Sequence, residues 1–86
     1  MARSYRIAVI PGDGIGKEVV PEGLRVLDEA ARRFGFTLDA THYDWSCETF
    51  RQTGKMMPDD GLEQLRPHDS IFLGAVGWPG VPDHVS

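Results

Sequence analysis

The stretch that decides the fold is RIAVIPGDGIG, residues 6–16. It opens with a β-branched apolar run without polar alternation, which is typical of a strand buried on both faces of a parallel sheet. Pro11 and Gly12 interrupt that run, and a glycine-rich turn follows. The stretch therefore predicts a buried strand over residues 6–10 and a tight turn that leads into the next element.

The segment after this turn has the periodicity of an amphipathic helix. Its apolar positions recur at alternating steps of four and three, which places them on one face: Val20, Leu24, Leu27, Ala31 and Phe34. Gly35 is a natural C-terminal stop. Pro21 lies beyond the first turn and removes one backbone hydrogen bond. We predict a single helix that ends before Gly35 and packs by its apolar face on the sheet.

Four further elements are predicted along the remainder of the chain. They are a strand over residues 37–45, a short helix over residues 47–53 capped by Ser46, a second short helix capped by Asp59 or Asp60 and ending at Arg66, and a strand over residues 70–76. This order predicts an α/β fold with a parallel sheet, in which right-handed crossovers bring the first and last strands side by side or nearly so. No closing element follows the last strand, so we expect the domain to be incomplete at its C-terminus.

Composition excludes several classes of function. The chain has 86 residues and a formal net charge of −4, which disfavours binding to nucleic acid or to an anionic membrane. Cys47 is the only cysteine, so neither an intrachain disulfide nor a cysteine metal cage can form. We predict no secretory leader, and no apolar run of the sequence reaches membrane-spanning length. We expect a cytoplasmic protein with a small-molecule ligand.

The turn over residues 12–16 is a candidate anion-binding site, because it follows a strand and opens a helix. Its spacing differs from the dinucleotide fingerprint G-x-G-x-x-G, since the third glycine comes one residue early, and no P-loop is present. The alternative is a tight turn that needs positive φ angles, and both interpretations stay open. For Asp13, the pattern favours an acceptor of N–H groups at the helix start over a catalytic carboxylate.

A second glycine loop follows the last predicted strand, over residues 74–80. Ligands of parallel α/β sheets bind beyond the carboxyl ends of the strands, so both glycine loops are expected to emerge at one crevice. Trp78 is either a wall for a flat ligand or plain apolar cover. His42, His68, His84 and Cys47 show no metal-ligand spacing and no nucleophile–base pair, so we predict neither a catalytic residue nor a metal ligand.

These motifs together resemble the isocitrate/isopropylmalate dehydrogenase family of β-decarboxylating dehydrogenases. The resemblance rests on residues 7–19, IAVIPGDGIGKEV, and on residues 73–79, LGAVGWP. The segments DWSC, MMPDDG and VGWP resemble the tartrate and D-malate dehydrogenases of that family. The resemblance implies the family's isopropylmalate dehydrogenase-like fold instead of a standard Rossmann fold, with residues 1–86 as the N-terminal part of its first domain.

The resemblance also implies a reaction and a cofactor site. It implies an NAD-dependent oxidoreductase that decarboxylates a small 2-hydroxy dicarboxylic acid with Mg²⁺ or Mn²⁺, and a homodimeric full-length enzyme. The positions that it assigns to the cofactor are Ile15, Ala75, Val76, Gly77, Trp78, Pro79 and Gly80. Trp78 departs from the glycine that is commoner at this position of the family. The family's catalytic and metal-binding residues come later in its sequence, so we expect the 86-residue chain alone to be inactive.

Two other functions stay open. The first is a 3-isopropylmalate dehydrogenase of the same family. The second is a stand-alone α/β module that binds a nucleotide or a partner without catalysis.

Overall fold

The computed structural model describes residues 3–82. Its elements in chain order are β1 Arg3–Gly12, α1 Gly16–Phe34, β2 Phe36–His42, α2 Cys47–Thr53, α3 Gly61–Leu65 and β3 Ser70–Ala75. This order confirms the predicted α/β class and the succession strand–helix–strand–helix–helix–strand. None of the described helices is both long enough and apolar enough to cross a membrane.

The three strands form one parallel sheet in the order β2-β1-β3. Ile7 of β1 lies opposite Ala40 of β2 on one side and opposite Ser70 of β3 on the other. The first and last strands are therefore neighbours, as the crossover rule predicts. Because β1 is the central strand, its apolar residues 7–10 are buried on both faces.

The apolar core lies between the sheet and α1. Ile7 and Val9 pack with Val20, and a ring of half-buried side chains surrounds them. These surrounding residues are Leu24, Leu27, Leu38 and Phe72. The predicted apolar face of α1 is thus confirmed at four of its positions, since Ala31 is buried too. Burying such side chains contributes about 1.5–3 kcal/mol each and holds α1 on the sheet.

Phe34 was predicted on that apolar face, and this prediction is wrong. Its side chain is 79% exposed. Phe34 is the last residue of α1, and the chain leaves the helix at Gly35, whose left-handed backbone (φ 74°) reverses its direction. Phe34 therefore lies past the end of the packed face.

Strand boundaries differ from the prediction where pairing, not apolar character, decides them. β1 begins at Arg3, because its exposed first residues pair with β2 from Phe36 onward. β2 ends at His42 instead of residue 45; the N–H of Tyr43 donates to the Val9 carbonyl (2.8 Å) before the chain turns away.

The N-caps predicted for the two short helices differ in whether they make a capping hydrogen bond. Ser46 caps α2 as predicted, since its hydroxyl accepts the Thr49 N–H at 3.2 Å. Asp60, one of the two residues predicted to cap α3, occupies its N-cap position, but its side chain makes no capping hydrogen bond. Its carboxylate instead accepts the side-chain amide of Gln64 at 3.0 Å, one turn later on the exposed face.

Candidate functional site

The two glycine loops meet at the carboxyl edge of the sheet. Gly12 at the end of β1 lies opposite Ala75 at the end of β3. The next residue, Asp13, donates its N–H to the Ala75 carbonyl at 2.6 Å. The predicted convergence of the loops is therefore confirmed, and a direct backbone contact joins them.

Three glycines make this contact possible, and we call them the closed glycines: Gly12, Gly16 and Gly74. A Cβ at Gly12 would overlap the carbonyl oxygen of Ala75, and a Cβ at Gly16 or Gly74 would overlap that of Pro11. Gly12 also has a φ of 80°, which side chains rarely adopt. At these positions glycine is required because two backbones approach each other. The closed glycines therefore support the interpretation of the motif as a tight turn.

Three other glycines of the same loops face free space, and we call them the open glycines: Gly14, Gly77 and Gly80. A Cβ placed at any of them would meet nothing within 4 Å. All three residues are exposed. The open glycines leave backbone uncovered at the carboxyl edge, where ligands of parallel α/β sheets bind.

Asp13 lies at the centre of the junction between the loops and is 4% exposed. Its carboxylate accepts the backbone N–H of Cys47 at 2.9 Å, of Glu48 at 3.1 Å and of Gly77 at 3.2 Å. Asp13 thus accepts N–H groups at a helix start, as the sequence favours. The helix is α2, however, and not the adjacent α1, whose N-cap residue Ile15 makes no side-chain capping bond.

These donors keep the Asp13 carboxylate ionised. Desolvation by burial raises the pKa of Asp13, but the N–H groups of Cys47, Gly77 and Glu48 outweigh it and hold the pKa below its usual range. The neighbouring Cys47 side chain is fully buried. Burial, together with the adjacent Asp13 carboxylate, raises the pKa of the Cys47 thiol, so this cysteine is a packed neutral thiol and not a nucleophile.

An ion pair at the surface also joins α1 to α2. The Lys17 Nζ lies 2.6 Å from a Glu48 carboxylate oxygen, with both side chains about half exposed. Glu48 raises the pKa of Lys17 by accepting this hydrogen bond and by its charge. An exposed pair of this kind contributes little to stability, so the buried Asp13 junction is the stronger link between these elements.

The predicted cofactor residues fall into a packed part and an exposed part. Ala75 and Val76 are half-buried, and the segment 77–80 is exposed. Ile15 is 63% exposed and Trp78 is 44% exposed. These two side chains offer apolar surface to solvent from the two loops that Asp13 joins.

A cavity of about 390 Å³ opens on another side of the first loop, between α1 and the end of β2. Its walls include Lys17, Val20 and Leu24 of α1 and His42, the last residue of β2. None of the predicted cofactor residues lines this cavity. The sequence carries no signal for this cavity, because its shape depends on how the chain leaves β2.

The described residues contain no cluster of three histidine, cysteine or carboxylate side chains that could hold a metal ion. His42 lines the cavity, while His68 packs edge-on against Tyr43 (ring centroids 5.8 Å apart) and contacts the Leu65 carbonyl through Nδ1. The third histidine, His84, lies outside the described residues.

Comparisons with known proteins identify relatives along nearly the whole chain. The isocitrate/isopropylmalate dehydrogenase family matches residues 6–85. The chain is 60% identical to a D-malate dehydrogenase [decarboxylating] of Escherichia coli (strain K12), over 100% of this chain and 24% of that protein. It is 58% identical to a tartrate dehydrogenase/decarboxylase of Pseudomonas putida, over 99% of this chain and 24% of that protein.

Two further relatives bear on function and fold. A 3-isopropylmalate dehydrogenase of Thermobifida fusca (strain YX) is 55% identical over 98% of this chain and 24% of that protein. The crystal structure of an apo β-decarboxylating dehydrogenase from Thermococcus kodakarensis superposes with a TM-score of 0.73 at 34% identity, covering 92% of this chain and 23% of that one. The chain thus spans about a quarter of the length of these relatives.

Proposed function

The chain belongs to the isocitrate/isopropylmalate dehydrogenase family, and on that premise we propose that it is the N-terminal part of a decarboxylating dehydrogenase that oxidises tartrate or D-malate with NAD⁺. The observation that carries the proposal is the 60% and 58% identity to a D-malate and a tartrate dehydrogenase. The proposed reaction would convert the substrate hydroxyl to a carbonyl with loss of its proton and a hydride, and would release one carboxylate as CO₂ with a proton taking its place on carbon; NAD⁺, when bound, would supply the hydride acceptor.

The open part of the carboxyl edge fits a dinucleotide. Gly77 and Gly80 leave backbone free of side chains, and the adjacent exposed Trp78 ring and Ile15 side chain offer apolar contact. Apolar walls with a few backbone polar groups are the usual composition of a cofactor site. In the proposal, Ile15 and residues 75–80 bind and orient the dinucleotide, and the closed glycines set the shape of the loops that carry them.

The described residues do not fit a divalent metal, because they hold no cluster of three ligand side chains. We therefore derive no step through Mg²⁺ or Mn²⁺ from this segment. In the proposal the ligands of that ion, the substrate-binding groups and the proton-transfer groups all come from the remainder of the enzyme. A homodimeric assembly and a cytoplasmic location are likewise parts of the proposal.

A 3-isopropylmalate dehydrogenase is the second candidate, because the relative of that activity is nearly as similar, at 55% identity. The substrates of the two candidates share the 2-hydroxysuccinate skeleton with its two carboxylates, and they differ in the substituent at C3: hydrogen in D-malate, a hydroxyl in tartrate and a branched alkyl group in 3-isopropylmalate. Specificity is a difference in transition-state binding, so relative kcat/KM values decide between them.

The test measures NAD⁺ reduction by the full-length protein that contains this chain, with D-malate, tartrate and 3-isopropylmalate as competing substrates. The proposal predicts the highest kcat/KM for D-malate or tartrate, and no turnover by residues 1–86 alone. A highest value for 3-isopropylmalate would establish the second candidate. Absence of turnover with all three 2-hydroxy acids would leave the non-catalytic module as the better account.

A further inference from the structure

Asp13 is the hydrogen-bonded anchor of the loop that follows β3. In segment 77–82, the Val81 N–H donates to the Trp78 carbonyl within the loop (3.0 Å), and the Gly77 N–H donates to Asp13 and also faces the Cys47 thiol. The bond to Asp13 comes from Gly77, the first exposed residue after β3. A side chain 64 positions away in sequence therefore decides where this loop begins.

The same carboxylate binds two successive N–H groups at the start of α2, those of Cys47 and Glu48. It is held in place from its own side as well, because the Asp13 N–H donates to Ala75 and its carbonyl accepts the Gly16 N–H at 2.9 Å. A buried carboxylate held in this way has little freedom to move, so it fixes the position of the Gly77 N–H relative to β1 and α2.

We infer that Asp13 is a positioning residue for the dinucleotide: it fixes the Gly77 backbone against the start of α2 and so presets the segment 77–80 for the cofactor. The inference rests on the proposed function, because it assigns that segment to NAD⁺. Asp13 itself is 4% exposed and acts through Gly77 instead of touching the ligand. A preset loop binds more tightly than a mobile one, because less ordering is required on binding.

The first test replaces Asp13 with asparagine in the full-length enzyme. Asp13→Asn keeps the shape, but it removes the charge and directs an NH₂ group at one of the N–H donors. We expect the KM for NAD⁺ to rise roughly tenfold with kcat within about twofold of wild type, the signature of lost cofactor binding. A purely structural loss would lower the active fraction, and hence kcat, and leave this KM unchanged.

Asp69→Asn is the matched control. The Asp69 carboxylate also accepts a backbone N–H, that of Arg6 at 2.8 Å, and also joins β1 to the chain beside β3. It lies at the amino edge of the sheet, away from the loop. We expect this variant to leave the KM for NAD⁺ at the wild-type value. An equal rise in KM for both variants would overturn the inference.

A second pair of variants serves if Asp13→Asn does not fold. Cys47 is the first residue of α2, where proline is favoured, and Ser46 before it is already extended (φ −161°, ψ 174°). Cys47→Pro therefore replaces the N–H that binds Asp13 with a ring carbon that displaces the carboxylate, at a position where a helix tolerates proline, whereas Cys47→Ala removes the thiol and keeps that N–H. A higher KM for NAD⁺ in Cys47→Pro than in Cys47→Ala supports the inference, and equal values contradict it.

Failure of the inference and failure of the proposed function give different results. If the wild-type enzyme reduces NAD⁺ and neither Asp13→Asn nor Cys47→Pro raises its KM above the control, the positioning role is wrong and the function stands. If the wild-type enzyme reduces no NAD⁺ with any of the three 2-hydroxy acids, the proposed function is wrong, and the inference fails with it.

Discussion

The closed and the open glycines share the same two loops, yet their surroundings are opposite. Gly12, Gly16 and Gly74 lie where one backbone presses on another, so a single methyl group would overlap a carbonyl oxygen. Gly14, Gly77 and Gly80 face free space. The closed glycines thus let the two loops pack against each other at the sheet edge, and the open glycines leave the backbone there accessible.

Because of this difference, we expect the closed glycines to matter mainly for stability and the open glycines mainly for function. A closed glycine is explained entirely by atoms of the chain, because its neighbours are backbone groups that cannot move without breaking the sheet. An open glycine meets no such neighbour in the described residues: its positive φ favours glycine (48° at Gly14, 149° at Gly77 and 91° at Gly80), and its missing side chain leaves the backbone uncovered. Substitutions at the two kinds of position should therefore have different consequences.

The largest expected effect is that of Gly16→Ala. The new Cβ would overlap the Pro11 carbonyl oxygen and lie 2.8 Å from the Ala75 backbone nitrogen. Because both neighbours belong to strand backbone, we expect a loss of about 3 kcal/mol or more in the free energy of unfolding. Urea denaturation followed by circular dichroism measures it. A loss below about 1 kcal/mol would show that the closed glycines are not required by packing.

The second-largest effect on stability is expected when the charge of the Asp13 carboxylate, at the junction of the two loops, is removed. We expect Asp13→Asn to lower the free energy of unfolding by about 2 kcal/mol at pH 7, because hydrogen bonds to a buried carboxylate are lost. The pKa of Asp13 is lowered in the folded state. Its contribution is therefore complete above the unfolded pKa of about 3.9 and is lost as the pH falls through the lower, folded value.

Urea denaturation of both proteins between pH 7 and pH 3 checks this sign. The difference between wild type and Asp13→Asn should stay constant from pH 7 to about pH 5 and narrow below about pH 4. A difference that stays the same at every pH would mean that the carboxylate charge contributes nothing.

A smaller effect on stability is expected for Gly80→Ala at the open end. Its φ of 91° strains any side chain, but no atom lies within 4 Å of the new methyl group. We expect a loss of about 1 kcal/mol, from backbone strain alone. If the segment meets NAD⁺, the KM for NAD⁺ should rise as well; an unchanged KM would separate Gly80 from the cofactor site.

The smallest effect is expected for Gly23→Ala in the middle of α1. The new Cβ would lie 2.7 Å from the ring tip of Phe72, a side chain that can shift, unlike a strand backbone. Alanine also favours a helix interior over glycine by roughly 1 kcal/mol. The two terms oppose each other, so the free energy of unfolding should change by less than about 1 kcal/mol. A large loss would show that side-chain overlap costs as much as backbone overlap.

Much of the fold could be predicted because local patterns decide it. The apolar run 7–10 indicates a buried strand, and the positions of Gly35 and Gly54 mark the ends of α1 and α2, where both glycines take left-handed backbone. The patterns failed where neighbours distant in sequence decide. Pairing with β2 extends β1 to Arg3. Phe34 is a different case: its exposure follows from the local end of α1 at this residue.

The site was predictable only in part for the same reason. The two loops could be placed at one edge from the rule for parallel sheets, and the family resemblance supplied the residues on them. The partners of Asp13 could not be foreseen, since Cys47 and Gly77 lie 34 and 64 residues away. The one local signal is a short carboxylate between two glycines, which leaves room for N–H groups from other segments.

The most direct test of the division between closed and open glycines is the structure of the full-length protein with NAD⁺ bound. We expect the dinucleotide to contact the exposed backbone of residues 77–80 and the Ile15 side chain, while the hydrogen bonds of Asp13 to Cys47, Glu48 and Gly77 stay unchanged. NAD⁺ bound instead in the cavity beside Lys17, Leu24 and His42, away from residues 77–80, would contradict it.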